Sequence, residues 1–133
     1  MTRTASRRVR AVLVLAALAA APGCATAALA GAGAAAGIHM TGNSAESPVR
    51  GSLAEVDRRT RAVLAEMRIQ VDERKEEPSG FEYKGSAQGM EIRVELDARQ
   101  DGMTQVKASA RKNAVEWNND YARDIVARIA AQR

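Results

Sequence analysis

The sequence has few of the residues from which active sites are usually built. Its 133 residues include one cysteine, one histidine and one tryptophan, and aromatic residues make up 3% of the chain. Zinc sites use three or four Cys, His or carboxylate ligands, and a catalytic nucleophile needs a neighbouring base. We therefore expect no enzyme activity and no metal or cofactor.

Excess positive charge is confined to the first residues. The formal net charge is +4, and four of the 20 Lys and Arg residues are Arg3, Arg7, Arg8 and Arg10. The remaining 16 basic residues balance the 16 acidic residues, the first of which is Glu46. A neutral body lacks the basic face that would neutralise phosphates, so we expect no nucleic-acid partner.

Residues 1–23 have the layout of a secretory signal peptide. A basic stretch is followed by an apolar run over residues 11–21, and then by Pro22 and Gly23. The run matches a signal core of about 7–15 residues and is shorter than the roughly 20 residues needed to span a bilayer. We predict cleavage after export, and the alternative is a longer, uncleaved signal anchor.

Cys24 is the only cysteine, so in an exported chain it cannot form a disulfide within the same molecule. With Ala21, Pro22 and Gly23 it resembles the lipobox of bacterial lipoproteins, in which the cysteine is acylated and becomes the new N-terminus. The resemblance implies that Cys24 is the lipid-attachment site. The alternative is cleavage by ordinary signal peptidase, which would release a soluble periplasmic protein.

The residues after Cys24 contain too little bulk to build a core. Residues 25–37 are uncharged and consist almost entirely of Ala and Gly. We predict that residues 24–41 comprise the lipidated cysteine and a tether, and that residues 42–133 form one small domain. Because residue 25 is Ala and not Asp, the lipoprotein resemblance implies the periplasmic face of the outer membrane in a host with two membranes.

Ser52 and Glu55 have the spacing of a capping box, which marks the start of a helix. Apolar residues then recur on one face and predict a helix over about 53–67; they are Leu53, Val56, Thr60, Val63, Leu64 and Met67. Asp57 and Arg61 are expected to pair on the opposite, solvated face.

Alternation with period two follows from Ile69 to Arg111 and predicts four strands, with Ile69 and Val71 among the inward residues. A three-residue loop at 100–102 with Gly102 in the left-handed position sets the register of the last hairpin. The predicted partners are Glu95 with Lys107, Glu91 with Arg111, and Val94 with Ala108. This register places apolar residues on one face and opposite charges on the other.

Asn118, Asn119 and Asp120 predict the cap of a closing helix that contains Ile125 and Ile129. The predicted fold is α+β: a two-layer sandwich with an antiparallel sheet of about four strands and two helices on one face. The element order is (β)αββββα, and the optional first strand lies around residues 42–49.

Three groups of residues are candidates for functional sites. His39 has no metal-binding neighbours in sequence and is expected to be exposed. Glu73, Glu76 and Glu77 lack an apolar cleft that would separate their pKa values, which favours a solvated strand end. Trp117 and Tyr121 are four residues apart and fit either the core or a ligand-contacting patch.

The region after the leader resembles a family of small bacterial envelope lipoproteins that is defined only by a domain of unknown function. Residues 51–69 and the hairpin at Asp101 and Gly102 carry the resemblance. It implies no catalytic or ligand-binding residues.

These observations predict a membrane-anchored cell-envelope lipoprotein with a small periplasmic domain and a non-enzymatic binding or scaffolding role. Its expected partners are the membrane, through the lipid anchor, and an envelope protein of unknown identity. The domain itself is expected to be a soluble monomer. The alternative function is binding of a small apolar ligand between sheet and helices, where small inward residues leave space or let the helices pack closely; they are Gly85, Ala87, Ala98, Ala108 and Ala110.

Overall fold

The computed structural model describes residues 37–133. The predicted signal peptide, Cys24 and the tether up to residue 36 lie outside these described residues. The described chain forms, in order, β1 (His39–Thr41), β2 (Ser44–Arg50), α1 (Leu53–Glu66), β3 (Gln70–Glu77), β4 (Gly80–Ala87), β5 (Met90–Ala98), β6 (Met103–Arg111) and α2 (Asn119–Ala131). The α+β class is therefore confirmed.

The sheet has six antiparallel strands in the order β1-β2-β6-β5-β4-β3, so the expectation of about four strands was wrong. The optional first strand exists as β2, and β1 folds back onto it. His39–Thr41, which we assigned to the tether, form β1, and Ile38 before them is buried. A three-residue strand is too short for alternation to reveal it. The sheet edges are β1 and β3.

The predicted register of the β5–β6 hairpin is confirmed. Glu95 pairs with Lys107, Glu91 with Arg111, and Val94 with Ala108. Gly102 has a φ of 75°, in the left-handed region that glycine adopts without strain.

The core lies between the inner face of the sheet and the two helices. Helix α1 packs on β3, β5 and β6, whereas α2 packs on β2 and β6, and the helices contact each other. The capping box at Ser52 and Glu55 is present. The Asn118 side chain accepts a hydrogen bond from the Tyr121 amide, which confirms the predicted cap of α2.

Strand β3 departs from the predicted alternation. Val71 is 43% exposed, so its predicted burial was wrong, and a bulge interrupts pairing between Val71 and Glu73. Bulges are frequent on edge strands, where they disturb the ladder. A Cβ on the paired Gly85 would lie 2.3 Å from the Gln70 carbonyl oxygen. Glycine is therefore required at position 85 for β3 to approach β4.

Neither α1 nor α2 is long and apolar enough to cross a membrane; this finding concerns residues 37–133.

The substitution Gly102→Ala tests the hairpin turn. A Cβ at this position would meet no atom within 4 Å, so its cost is that of the left-handed backbone alone. We expect the free energy of unfolding to fall by about 1–2 kcal/mol, and Gly102→Asn to lose less because Asn tolerates this conformation. Urea denaturation measures both. Equal stability of Gly102→Ala and wild type would contradict the assigned turn.

Candidate functional site

The outer face of the sheet, opposite the helices, carries rows of charged side chains that run across the strands. One row joins Glu46 on β2, Lys107 on β6 and Glu95 on β5, which are direct neighbours in the sheet. The Lys107 ammonium lies 3.8 Å from a carboxylate oxygen of each glutamate. Opposite charges placed side by side across strands stabilise the pairing that the apolar inner face also requires.

A groove crosses this outer face because two of its central residues are small. Ser44 and Ser109 are direct partners on β2 and β6, and Arg93 continues their row on β5. On β6, Lys107 and Arg111 flank Ser109 two residues away on each side, and on β2 Glu46 flanks Ser44 on one side, so the serines form a floor between two walls. Residues four apart on a strand are separated by about 13 Å, which sets the spacing of the wall residues Lys107 and Arg111.

Trp117 forms one end of the wall that contains Arg111 and Glu91. It extends the sheet by a single bridge to Arg111, and the following amide, that of Asn118, donates a 2.8 Å hydrogen bond to the carbonyl of Ala110. The Arg111 guanidinium lies 5.9 Å from the centre of the Trp117 ring, within cation–π range. Trp117 belongs to a loop, but these contacts hold its backbone against the sheet and its ring beside Arg111.

The loop that carries Trp117 is closed by its own hydrogen bonds. The Lys112 amide donates to the Glu116 carbonyl at 2.9 Å, and the Lys112 ammonium contacts the Glu116 carboxylate at 2.9 Å. The Asn113 side-chain oxygen accepts hydrogen bonds from the amides of Val115 and Glu116, each at 3.0 Å. These contacts hold the loop in one conformation beside the groove.

The three cations that line the groove all have carboxylate neighbours. Arg111 pairs with Glu91, and Lys107 pairs with Glu95. Arg93 lies 4.0 Å from Glu95 and 3.8 Å from Glu82. The hydrogen bond from Arg111 lowers the pKa of Glu91, so this carboxylate stays ionised at neutral pH. The groove therefore offers both donors and acceptors without a large excess of either charge.

The groove has a volume of about 300 Å³, at the lower end of the range of about 300–1,000 Å³ for ligand sites. Its lining residues are Ser44, Glu91, Arg93, Glu95, Lys107, Ser109, Arg111 and Trp117. Apart from the indole they are polar, and no His or Cys is among them. Such a surface can hold a small polar ligand through hydrogen bonds and one aromatic contact.

A second polar cluster lies under α1, at the side of the sheet formed by β3 and β4. The Asp57 side chain is 6% exposed, and it accepts a 2.5 Å hydrogen bond from the Tyr83 hydroxyl. Arg74 donates through Nε to the Tyr83 oxygen at 2.9 Å and through Nη2 to Asp57 at 3.2 Å. The Arg74 guanidinium also lies 3.9 Å from the centre of the Phe81 ring. The cluster fixes the helix to the edge of the sheet.

The burial of Asp57 corrects the prediction that it lies on a solvated face. Its predicted pair with Arg61 exists, at 3.2 Å, but the carboxylate points toward Tyr83. Asp57 follows Leu53 by four residues and precedes Thr60 by three, so helical spacing does place it beside the apolar stripe. Its charge, and not its position, led to the wrong assignment.

The other predicted site residues are separate from both clusters. His39 is exposed on β1, as expected, and pairs in register with Glu46. Glu73, Glu76 and Glu77 lie on the edge strand β3, with Glu73 and Glu76 exposed. Within residues 37–133, no group of three or more His, Cys, Asp or Glu side chains is placed to hold a metal ion.

Trp117 and Tyr121 do not share one helical face, because Trp117 precedes the start of α2. Trp117 lines the groove on the outer face, whereas Tyr121 packs against the core. The aromatic pair that we considered as one patch therefore divides between the two sides of the sheet. The single bridge to Arg111, which no helical pattern reveals, accounts for this division.

The alternative of an apolar ligand between sheet and helices places its site in the core. The groove and a second depression, formed by residues near the β3–β4 turn, both lie elsewhere. Inward Ala108 and Ala110 are fully buried, and the space beside Gly85 is taken by the backbone of β3. At these positions the small residues allow close packing.

Comparison with known families gives one match. The family described as "Protein of unknown function (DUF3568)" matches residues 9–110. The chain belongs to this family. The expected membership in a family of unknown function is thereby confirmed, whereas its lipoprotein character stays a prediction. The match ends before Trp117 and α2, so one end of the groove wall lies beyond it. No curated protein matches the chain.

Tyr83→Phe tests the buried cluster. Hydrogen bonds to charged groups contribute about 1.5–3 kcal/mol, and we expect a loss of that size in the free energy of unfolding at pH 7. Tyr121→Phe is the matched control, because the buried Tyr121 hydroxyl has no hydrogen-bond partner among the described residues. The control should be neutral in urea denaturation at pH 7. Equal losses for both variants would show that the Tyr83 hydroxyl contributes no specific bond.

The same cluster predicts a dependence of stability on alkaline pH. Burial raises the pKa of Tyr83, and its hydrogen bond to Asp57 raises it further. The unfolded chain then ionises first, near the ordinary tyrosine pKa of about 10. Stability is therefore retained below that pH and falls as the pH rises above it. Burial raises the pKa of Tyr121 as well, so Tyr83→Phe should make the alkaline loss shallower without abolishing it.

Proposed function

We propose that this protein is an exported lipoprotein, anchored through Cys24, whose α+β domain binds a component of the cell envelope without catalysing a reaction. The observation that carries the proposal is the leader: a basic stretch and an 11-residue apolar run are followed by Gly23 and Cys24. The chain reaches its only cysteine at the place where the cleavage motif of a signal peptide belongs.

The number of residues between Cys24 and β1 supports a position near the membrane. Fourteen residues, 25–38, separate Cys24 from the first residue of β1. A fully extended chain spans at most about 3.6 Å per residue, so this segment can span no more than about 50 Å. A lipid on Cys24 would therefore restrict the domain to a thin layer next to the bilayer. We propose the periplasmic face of the outer membrane as that location.

The exposed outer face of the sheet supports a binding role. Both helices pack on the inner face, so the rows of charged residues and the groove remain accessible in residues 37–133. The groove has an aromatic residue and several hydrogen-bonding side chains but no nucleophile beside a histidine. A surface of this composition suits the proposed binding of a ligand without chemical change.

Labelling with palmitate tests the anchor. Wild-type protein should incorporate the label. Globomycin inhibits the lipoprotein signal peptidase, so the leader should stay attached and a larger precursor should accumulate. Cys24→Ser should abolish incorporation, and Ser52→Ala, a substitution in the described domain, is the control that should retain it. Equal labelling of wild type and Cys24→Ser would refute the anchor.

The edges of the sheet predict that the domain is monomeric. Edge strand β1 has three residues, and β3 combines a bulge with the charges of Glu73, Arg74 and Lys75. Short, bulged and charged edges resist pairing with another chain. We expect sedimentation velocity of a fragment that begins at Gly37, which retains the buried Ile38, to give a monomer at micromolar concentration. A stable dimer would contradict this expectation and would place an interface on β1 or β3.

A further inference from the structure

We propose that the groove around Ser44, Ser109 and Trp117 is a binding site for a neutral saccharide. The inference rests on the proposed binding function and names its ligand class. It starts from three properties of the groove: its shape, its internal charge balance and its single aromatic side chain.

The shape favours a short, flat ligand. The floor consists of the paired serines Ser44 and Ser109, and the walls are rows of longer side chains about 13 Å apart. A volume of about 300 Å³ suits a small ligand lying across the strands. Hydroxyl groups on the floor can both donate and accept hydrogen bonds.

The charge balance argues against an anionic ligand. Arg93, Lys107 and Arg111 each have a carboxylate within 4.0 Å or less. A phosphate or carboxylate entering the groove would have to displace these partners and would meet Glu91 and Glu95. A ligand with many hydroxyl and amide groups but no net charge can instead bond to both the guanidinium and the carboxylate groups that line the walls.

The indole distinguishes a saccharide from other neutral polar ligands. The faces of an aromatic ring carry negative partial charge, and the C–H groups on one face of a pyranose ring are weak donors to such a surface. Trp117 is held beside the groove by its bridge to Arg111 and by the hydrogen bonds within the preceding loop, residues 112–116. A site that is ordered before binding loses less entropy when the ligand arrives.

Trp117 is the only tryptophan of the chain, so its fluorescence reports directly on the groove. Full-length protein in a detergent without a sugar headgroup would be titrated with chitotriose, with maltotriose and with inorganic phosphate. We expect chitotriose to change the emission with a dissociation constant of about 0.1–5 mM, typical of a weak site with an affinity near −4 kcal/mol. A response to either sugar without a response to phosphate would support the proposal.

Two matched variants locate the site. Ser109→Ile fills the floor of the groove, whereas Ser86→Ile makes the same change at an exposed outer-face serine on β4 that does not line the groove. Isoleucine favours strands, so both variants should fold. Ser109→Ile should weaken chitotriose binding at least about tenfold, which is about 1.4 kcal/mol, and Ser86→Ile should change it less than about twofold.

Several results would overturn the proposal. One is the absence of a fluorescence response to chitotriose and maltotriose at about 20 mM, which is about 20-fold above the 1 mM scale of weak binding. Another is a response to phosphate alone. The third is an equal loss of chitotriose affinity in Ser109→Ile and Ser86→Ile. Failure of saccharide binding is separable from failure of the anchor, because palmitate labelling of Cys24 does not depend on the groove. A labelled protein that binds no sugar would remove this inference only.

Discussion

The pairing of β5 with β6 determines what meets on both faces of the sheet. When Val94 lies opposite Ala108 on the inner face, Glu95 must lie opposite Lys107 on the outer face. A shift by one residue would turn every apolar side chain of one strand to the solvent. Apolar burial and charge pairing therefore favour the same register, and β2, which pairs with β6, extends it.

The outer groove is a consequence of that register. Because β2 pairs with β6 in the register that places Ser44 beside Ser109, two small side chains become neighbours between rows of long ones. Trp117 then bridges to the end of β6 and lies beside the same groove. The features on the outer face are thus set by the same pairing that buries the core, although none of these side chains contributes to the core itself.

The parts of the fold that were predicted correctly depend on local patterns. Helix α1 has a capping box and an apolar stripe, and the β5–β6 hairpin has a turn whose length fixes its own register. Strand β2 depends on β6, which is distant in sequence, and the short β1 pairs only with β2. Pro48 within β2 also weakens its strand pattern; it lies beyond the end of β1, where β2 has a partner on one side only.

The two polar sites could be predicted only in part, for different reasons. The groove requires Ser44, Ser109 and Trp117 to meet, and no spacing in the sequence relates these residues. Asp57 was identified with its Arg61 partner, but its burial depends on Tyr83 and Arg74, which β4 and β3 bring beneath α1. A charged residue beside an apolar stripe can be solvated or can be paired inside, and tertiary contacts decide between these outcomes.

If the outer face of the sheet is the binding surface of this protein, a bound ligand must change the resonances of that face. Amide and indole chemical shifts recorded during titration with chitotriose test it most directly, since they report on every element at once. We expect the largest changes at the Trp117 indole N–H and the Ser109 amide, with little change in α1 and α2. Changes that map to the helices, or no changes at all, would contradict it.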